Sequence, residues 1–258
     1  MQFDLATLLA QWAAGGLAFC WLTTRRREVG VGYGWLLRLS FGALAALSLV
    51  AGFGDDGVGA ALRNVGSALM VLGAGIAFAV SYVRRADTPE RTALEAFDPR
   101  LDLIAPVAGL LAMFGAASFV GGDYPLSLAR MVVGALFLGA VSDAMLLGHW
   151  YLVQPGLGRD PIRELVKAVG VLWPFELIVY LIPVGMVSVL NGTIDDGYNG
   201  IVGWMWIVAS ITTIGLVVAT WFALKERAYS AVMAATGLLY LAILTGFGMD
   251  LLPRALLS

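Results

Sequence analysis

Hydrophobic residues along this chain fall into long, nearly uncharged runs separated by short polar clusters. An α-helix rises about 1.5 Å per residue, so a hydrocarbon core about 30 Å thick needs about 20 apolar residues to cross it. Runs of that length predict helices at 4–23, 34–53, 64–83, 102–121, 127–150, 164–190, 200–224 and 228–251. The chain therefore reads as all-α, a polytopic transmembrane bundle of about eight spans forming one domain over residues 1–258. The longest connection, from Arg84 to Arg100, leaves no room for a soluble domain. The first run opens with Asp4 and lacks a positive leading segment, so it reads as a span and not as a cleavable signal peptide.

The polar clusters also give an orientation, because cytoplasmic flanks of membrane helices retain an excess of Lys and Arg. Arg25, Arg26 and Arg27 follow the first run; Arg84, Arg85, Arg91 and Arg100 lie between the third and fourth; Arg159, Arg163 and Lys167 lie between the fifth and sixth; Lys225 and Arg227 precede the last. The intervening connections are acidic or neutral: Gly54 to Gly57, Gly121 to Tyr124, and Asn191 to Asp196. Arg63, Arg130 and Arg254 are the only positive charges near that side. The alternation puts both termini outside and demands an even number of spans.

Composition agrees with a membrane setting. The 258 residues are 60% hydrophobic and 13% charged, with a mean hydropathy of +0.85, where a soluble domain carries about 25% charged residues. A net charge of −2 with no basic patch argues against a nucleic-acid partner. Arginine far outnumbers lysine and Ala and Gly abound, a composition that suggests a bacterial inner-membrane protein. The lone Cys20 excludes an intrachain disulfide and reads as a small buried apolar residue. Small residues in the third, fourth and eighth runs let helix backbones approach closely. Trp12, Trp21, Trp35, Trp150, Tyr151, Trp204 and Trp206 read as an interfacial aromatic belt.

Ionisable groups inside a bilayer are costly and mark candidate sites. Asp143 and His149 in the fifth run, Glu176 in the sixth and Arg38 in the second qualify. With His149 at the inner boundary, Asp143 lies about 9 Å deeper and Glu176 about 18 Å deeper, with Arg38 about 6 Å inside. One reading is a proton path through His149, Asp143 and Glu176, since a carboxyl taken out of water favours its neutral form. The alternative is structural: Asp143 pairs with Arg38, Glu176 hydrogen-bonds a neighbouring helix, and His149 is interfacial. The sixth run carries Pro174 and Pro183, each freeing the carbonyl four residues earlier, so Glu176, Trp173 and Tyr180 form a candidate ligand site. His149, Trp150 and Tyr151 form a candidate quinone site.

Some chemistry is disfavoured. A bis-histidine haem needs two histidines and the chain has one. A retinal Schiff base needs a deep lysine, and Lys167 and Lys225 lie near helix ends. The loop from Asn191 to Asn199 has the composition of a calcium site but not its spacing, and reads as a tight polar turn. No zinc or other metal motif, nucleophile elbow or phosphate loop occurs, so no catalytic residue is assigned and an enzymatic activity of the chain's own is the less favoured reading. Two functions stay open. The first is an integral subunit of a larger membrane assembly, of the respiratory electron-transfer kind, packed against partner subunits and bordering a quinone or proton site. The second is a self-contained proton-coupled transporter using Asp143 and Glu176.

Overall fold

The computed structural model describes residues 4–87, 96 and 98–257. Among these the regular elements are all helical: α1 (Leu5–Thr24), α2 (Val31–Ala51), α3 (Val58–Asp87), a 3-10 turn (Leu101–Leu103), α4 (Ile104–Phe119), α5 (Tyr124–Trp150), α6 (Asp160–Leu181), α7 (Gly185–Leu190), α8 (Ile201–Ala223) and α9 (Tyr229–Leu256). Arg91, one of the basic residues used for orientation, lies outside the described residues. Seven helices, all but α6 and the short α7, are long and apolar enough to cross a membrane. The chain is a multi-pass membrane protein in contact with a lipid bilayer.

Local chemistry explains where the helices begin. The Asp4 carboxylate accepts from the amides of Ala6 and Thr7 and so caps α1. Asp123 does the same for α5 through Leu126, with Pro125 in the first turn, where its missing N–H is not needed. Asp160 differs: it lies inside the first turn of α6 and makes no cap bond. Its negative charge still suits the positive end of the helix dipole.

The sixth run corrects the expected helix. A single helix over 164–190 does not form; α6 ends at Leu181 and α7 starts at Gly185. Pro183 has no N–H for the Val179 carbonyl, so the regular ladder cannot continue through it. Arg130 on α5 takes over, its Nε donating to Val179 O (2.9 Å) and its Nη2 to Ile182 O (3.0 Å). A break expected to open toward water or a ligand is closed by a guanidinium.

Helices α1 to α4 form one group, α5, α6, α8 and α9 another, and α1 against α5 joins them. On α3, Gly59, Gly66 and Gly73 recur every seven residues and face Gly115, Ala112 and Ala105 of α4. At the junction, a Cβ on Gly15 would overlap the Ala135 carbonyl, and one on Gly139 would overlap the Gly15 backbone. Dispersion between backbones holds such contacts where lipid offers no hydrophobic drive. In the last run the small residues divide: Ala235 is fully buried, whereas Gly237 meets open space.

Trp12, Trp206 and Tyr151 of the expected belt turn inward. Trp12 Nε1 donates to Ser142 Oγ (2.8 Å), and the nearly buried Trp206 donates to the Met249 carbonyl (3.1 Å). Both indoles cross-link helices. Trp204 is 64% exposed and Trp221 38%, as belt residues are.

Candidate functional site

A buried polar centre gathers around Gly134 of α5. Asp250 and Arg254, four residues apart on one face of α9, form a fully buried pair, Nη2 to Oδ1 and Nε to Oδ2 at 2.9 Å each. Tyr180 of α6 donates its hydroxyl to Asp250 Oδ1 (3.0 Å). The Arg130 guanidinium stacks over the Tyr180 ring at 5.4 Å. From α1, Gln11 projects to the same place: a Cβ on Gly134 would overlap Gln11 Nε2, lie 2.6 Å from Asp250 Oδ1 and lie 3.1 Å from Arg254 Nη2. Glycine is required there because three polar side chains occupy the space a methyl would fill.

Two groups in this centre lack partners. Gln11 is fully buried and neither its amide nitrogen nor its oxygen forms a hydrogen bond. Glu176 is fully buried as well; no N–H or hydroxyl of a described residue donates to its carboxyl, which faces the Asp250 carboxylate with Arg254 nearby. A buried polar atom without a protein partner forfeits its hydration unless water or a ligand satisfies it, which makes Gln11 and Glu176 the candidate ligand-facing groups of this centre. Arg254 already neutralises Asp250. Glu176 therefore has no ion-pair partner of its own among the described residues.

Asp143 occupies a second centre. It is fully buried, its carboxyl oxygens make no hydrogen bond, and its polar neighbours are Cys20 and Tyr33. The Tyr33 hydroxyl reaches only the Asp143 carbonyl, at 3.4 Å. From Gly134 to Asp143 is about 14 Å along α5, and Phe137, Leu138, Ala140 and Val141 are the fully buried apolar residues between. No continuous chain of described side chains links Asp143 to Glu176.

Arg38 does not pair with Asp143. It forms a bidentate bridge to Asp102 in the 3-10 turn before α4, with Nη2–Oδ2 at 2.5 Å and Nε–Oδ1 at 3.0 Å, and a further bond to the Gly34 carbonyl. Asp102 captures the arginine because it sits where α2 meets the α3–α4 pair. At the opposite end of the bundle Arg63 is fully buried and bridges Asp4 and Asp55. Arg63 and Arg254, which read as flanking charges in the sequence, are thus interior ion-pair partners.

The expected quinone residues point in different directions. His149 is exposed and its Nδ1 lies 3.2 Å from the Tyr240 hydroxyl of α9. Trp150 packs toward α2, against Tyr33, and donates to Gln154 Oε1. Tyr151 is buried and ties the loop after α5 through the Gly158 carbonyl. Trp173 donates to the Ser210 carbonyl of α8 (2.9 Å), a helix-to-helix link. Of the sequence-derived candidates, only Glu176 and Tyr180 share one centre. Asp250 and Gln11 are absent from the sequence-derived candidates and Arg254 reads there only as a flanking charge, although the i, i+4 spacing of Asp250 and Arg254 is a pairing signal and Gln11 is the sole amide inside the first apolar run.

The acidic turn before α8 is structural. Asp196 accepts from the amides of Tyr198 and Gly200 through Oδ1 and of Val202 through Oδ2, at 2.8–2.9 Å. These donors, Gly200 foremost, hold its carboxyl below the ordinary carboxylate range.

Comparison of the chain with family models, with curated proteins and with solved structures finds no match.

Proposed function

We propose that this chain is a proton-coupled membrane transporter of eight spans, with both termini on the non-cytoplasmic face of a bacterial inner membrane, and that Glu176 carries the coupling proton. One observation supports this above others: a fully buried carboxyl without a hydrogen bond stands beside an occupied carboxylate–guanidinium pair. With Glu176 protonated, Arg254 belongs to Asp250. With Glu176 ionised, two carboxylates compete for one guanidinium, and the balance between α6 and α9 changes. Protonation is thereby tied to how two helices pack, which is the two-state element that coupling requires. Asp143, about 14 Å away along α5 behind buried apolar side chains, stands outside this unit.

The test is proton movement in proteoliposomes with an entrapped pH dye, challenged with a panel of small organic acids and amines under an imposed pH gradient. Solute-dependent proton flux that disappears in Glu176→Gln supports the reading. Its absence in the wild type, or its survival in Glu176→Gln, rejects it. Asp143→Asn, remote from the Glu176 centre, is expected to leave the flux largely unchanged.

A second reading, the membrane subunit of an electron-transfer assembly, draws on the exposed His149–Tyr240 pair. An imidazole and a phenol open to lipid can donate to a quinone carbonyl. A photoreactive quinone that crosslinks at His149, together with partner subunits retained in mild detergent, would favour it. A homogeneous chain with no quinone labelling would exclude it.

A further inference from the structure

An apolar groove of about 400 Å³ runs between α6 and α8 on the outer surface of the bundle. Its sides are Val166, Val171, Ile214 and Val218, and Gly170 forms part of its floor, since a Cβ there would stand 3.6 Å from Val217. The two helices run antiparallel: Arg163, early in α6, donates to the Leu224 carbonyl just past α8 (2.8 Å), and Trp173 reaches Ser210. Lys167 and Trp221 thus stand at the same end of the groove, at the level of the basic connections.

That end is built for an anion. Lys167 is exposed and has no ion pair or hydrogen bond among the described residues, although Arg163 and Arg159 beside it are engaged with Asp160 and with backbone carbonyls. The Trp221 indole N–H is likewise unengaged. The surrounding segments, 159–167 and 225–227, carry five cations against three acids. A lysine with free donors above an apolar channel matches one class of amphiphile in charge and shape: a phosphate head with a hydrocarbon tail.

We propose that this groove binds one anionic phospholipid, with its phosphate on Lys167 and the Trp221 indole N–H and an acyl chain lying along Gly170 between Val171 and Val218. A neutral, zwitterionic lipid would fill the channel equally but would gain little from the lysine.

The purified full chain in nanodiscs provides the test. Trp221 emission, taken as the difference between wild type and Trp221→Phe, is titrated with dibrominated phosphatidylglycerol or dibrominated phosphatidylcholine diluted into unbrominated neutral lipid. The expected result is half-quenching at about fivefold lower mole fraction of the anionic lipid, the size one lysine near a membrane surface supplies. The preference should vanish in Lys167→Gln, whose exposed side chain holds no structural contact. Equal quenching of the wild type by both lipids overturns the proposal without need of any variant. A preference that survives Lys167→Gln also overturns it.

Discussion

At Gly134 a single methyl group would collide with Gln11 and crowd Asp250 and Arg254. Gly134→Ala is therefore expected to destabilise the protein by about 1–3 kcal/mol through overpacking. Gly237→Ala on α9, where nothing lies within 4 Å, should be neutral or gain up to about 1 kcal/mol from helix propensity. Thermal melts in one detergent compare the two directly, and equal melting temperatures would refute the crowding at Gly134. The two acids of the centre separate in the same way. Asp250→Asn leaves Arg254 buried without its bonded counter-charge and should cost about 3–5 kcal/mol, whereas Glu176→Gln breaks no ion pair, keeps the side chain's size and a donor toward Asp250, and should melt close to the wild type. A Glu176→Gln variant as unstable as Asp250→Asn would mean that Glu176 is a structural partner. The transport test on Glu176 is interpretable only because its stability and its function separate.

At the scale of elements, one acidic turn makes a pH-dependent helix start. Asp196 is held below its ordinary value of 3.8 by the amides ahead of α8. A carboxylate with a depressed folded-state pKa contributes stability that is complete above its unfolded value and is lost as pH falls through the folded one. Hydrogen-exchange protection of the Tyr198–Val202 amides should thus hold at neutral pH and decline only at pH below 3.8. In Asp196→Ala it should be low throughout; a wild-type protection that ignores acid would disprove the role. Element positions were largely legible because hydropathy alone sets them: the expected 200–224 and 127–150 lie within a few residues of α8 and α5. What hydropathy could not give was which helices touch. Asp102 lies 64 residues from Arg38 and claims it from Asp143; Asp4 and Arg63 lie 59 apart and bury each other. Pairing across helices follows from tertiary placement, which a linear pattern does not encode. The broken α6 was half legible: Pro183 announced the free Val179 carbonyl, but that an arginine seven residues into α5 would fill it could be read only from the fold.

For the whole molecule the open quantity is parity, and it turns on α6. Its polar residues Asp160, Arg163, Glu164 and Lys167 crowd the first two turns, which keeps it out of the seven helices that qualify by apolarity. Its 22 residues nonetheless extend about 33 Å. Its start bonds to the end of α8 through Arg163, and its end bonds near the start of α5 through Arg130. A helix anchored at both levels runs the depth that α5 and α8 run, so eight crossings are expected. Single cysteines at exposed loop positions, placed in a Cys20→Ala background, decide the matter in intact cells with a membrane-impermeant maleimide. Asp56→Cys and Thr193→Cys should react from outside, and Gly156→Cys and Glu226→Cys only after permeabilisation. Were α6 not to cross, Gly156 and Thr193 would share one side and Glu226 would move to the other. Both changes would appear in the same experiment. The outcome also fixes which side of the membrane the Glu176 centre lies closer to, because Gly134 stands ten residues, about 15 Å, beyond the first residue of α5 at Tyr124.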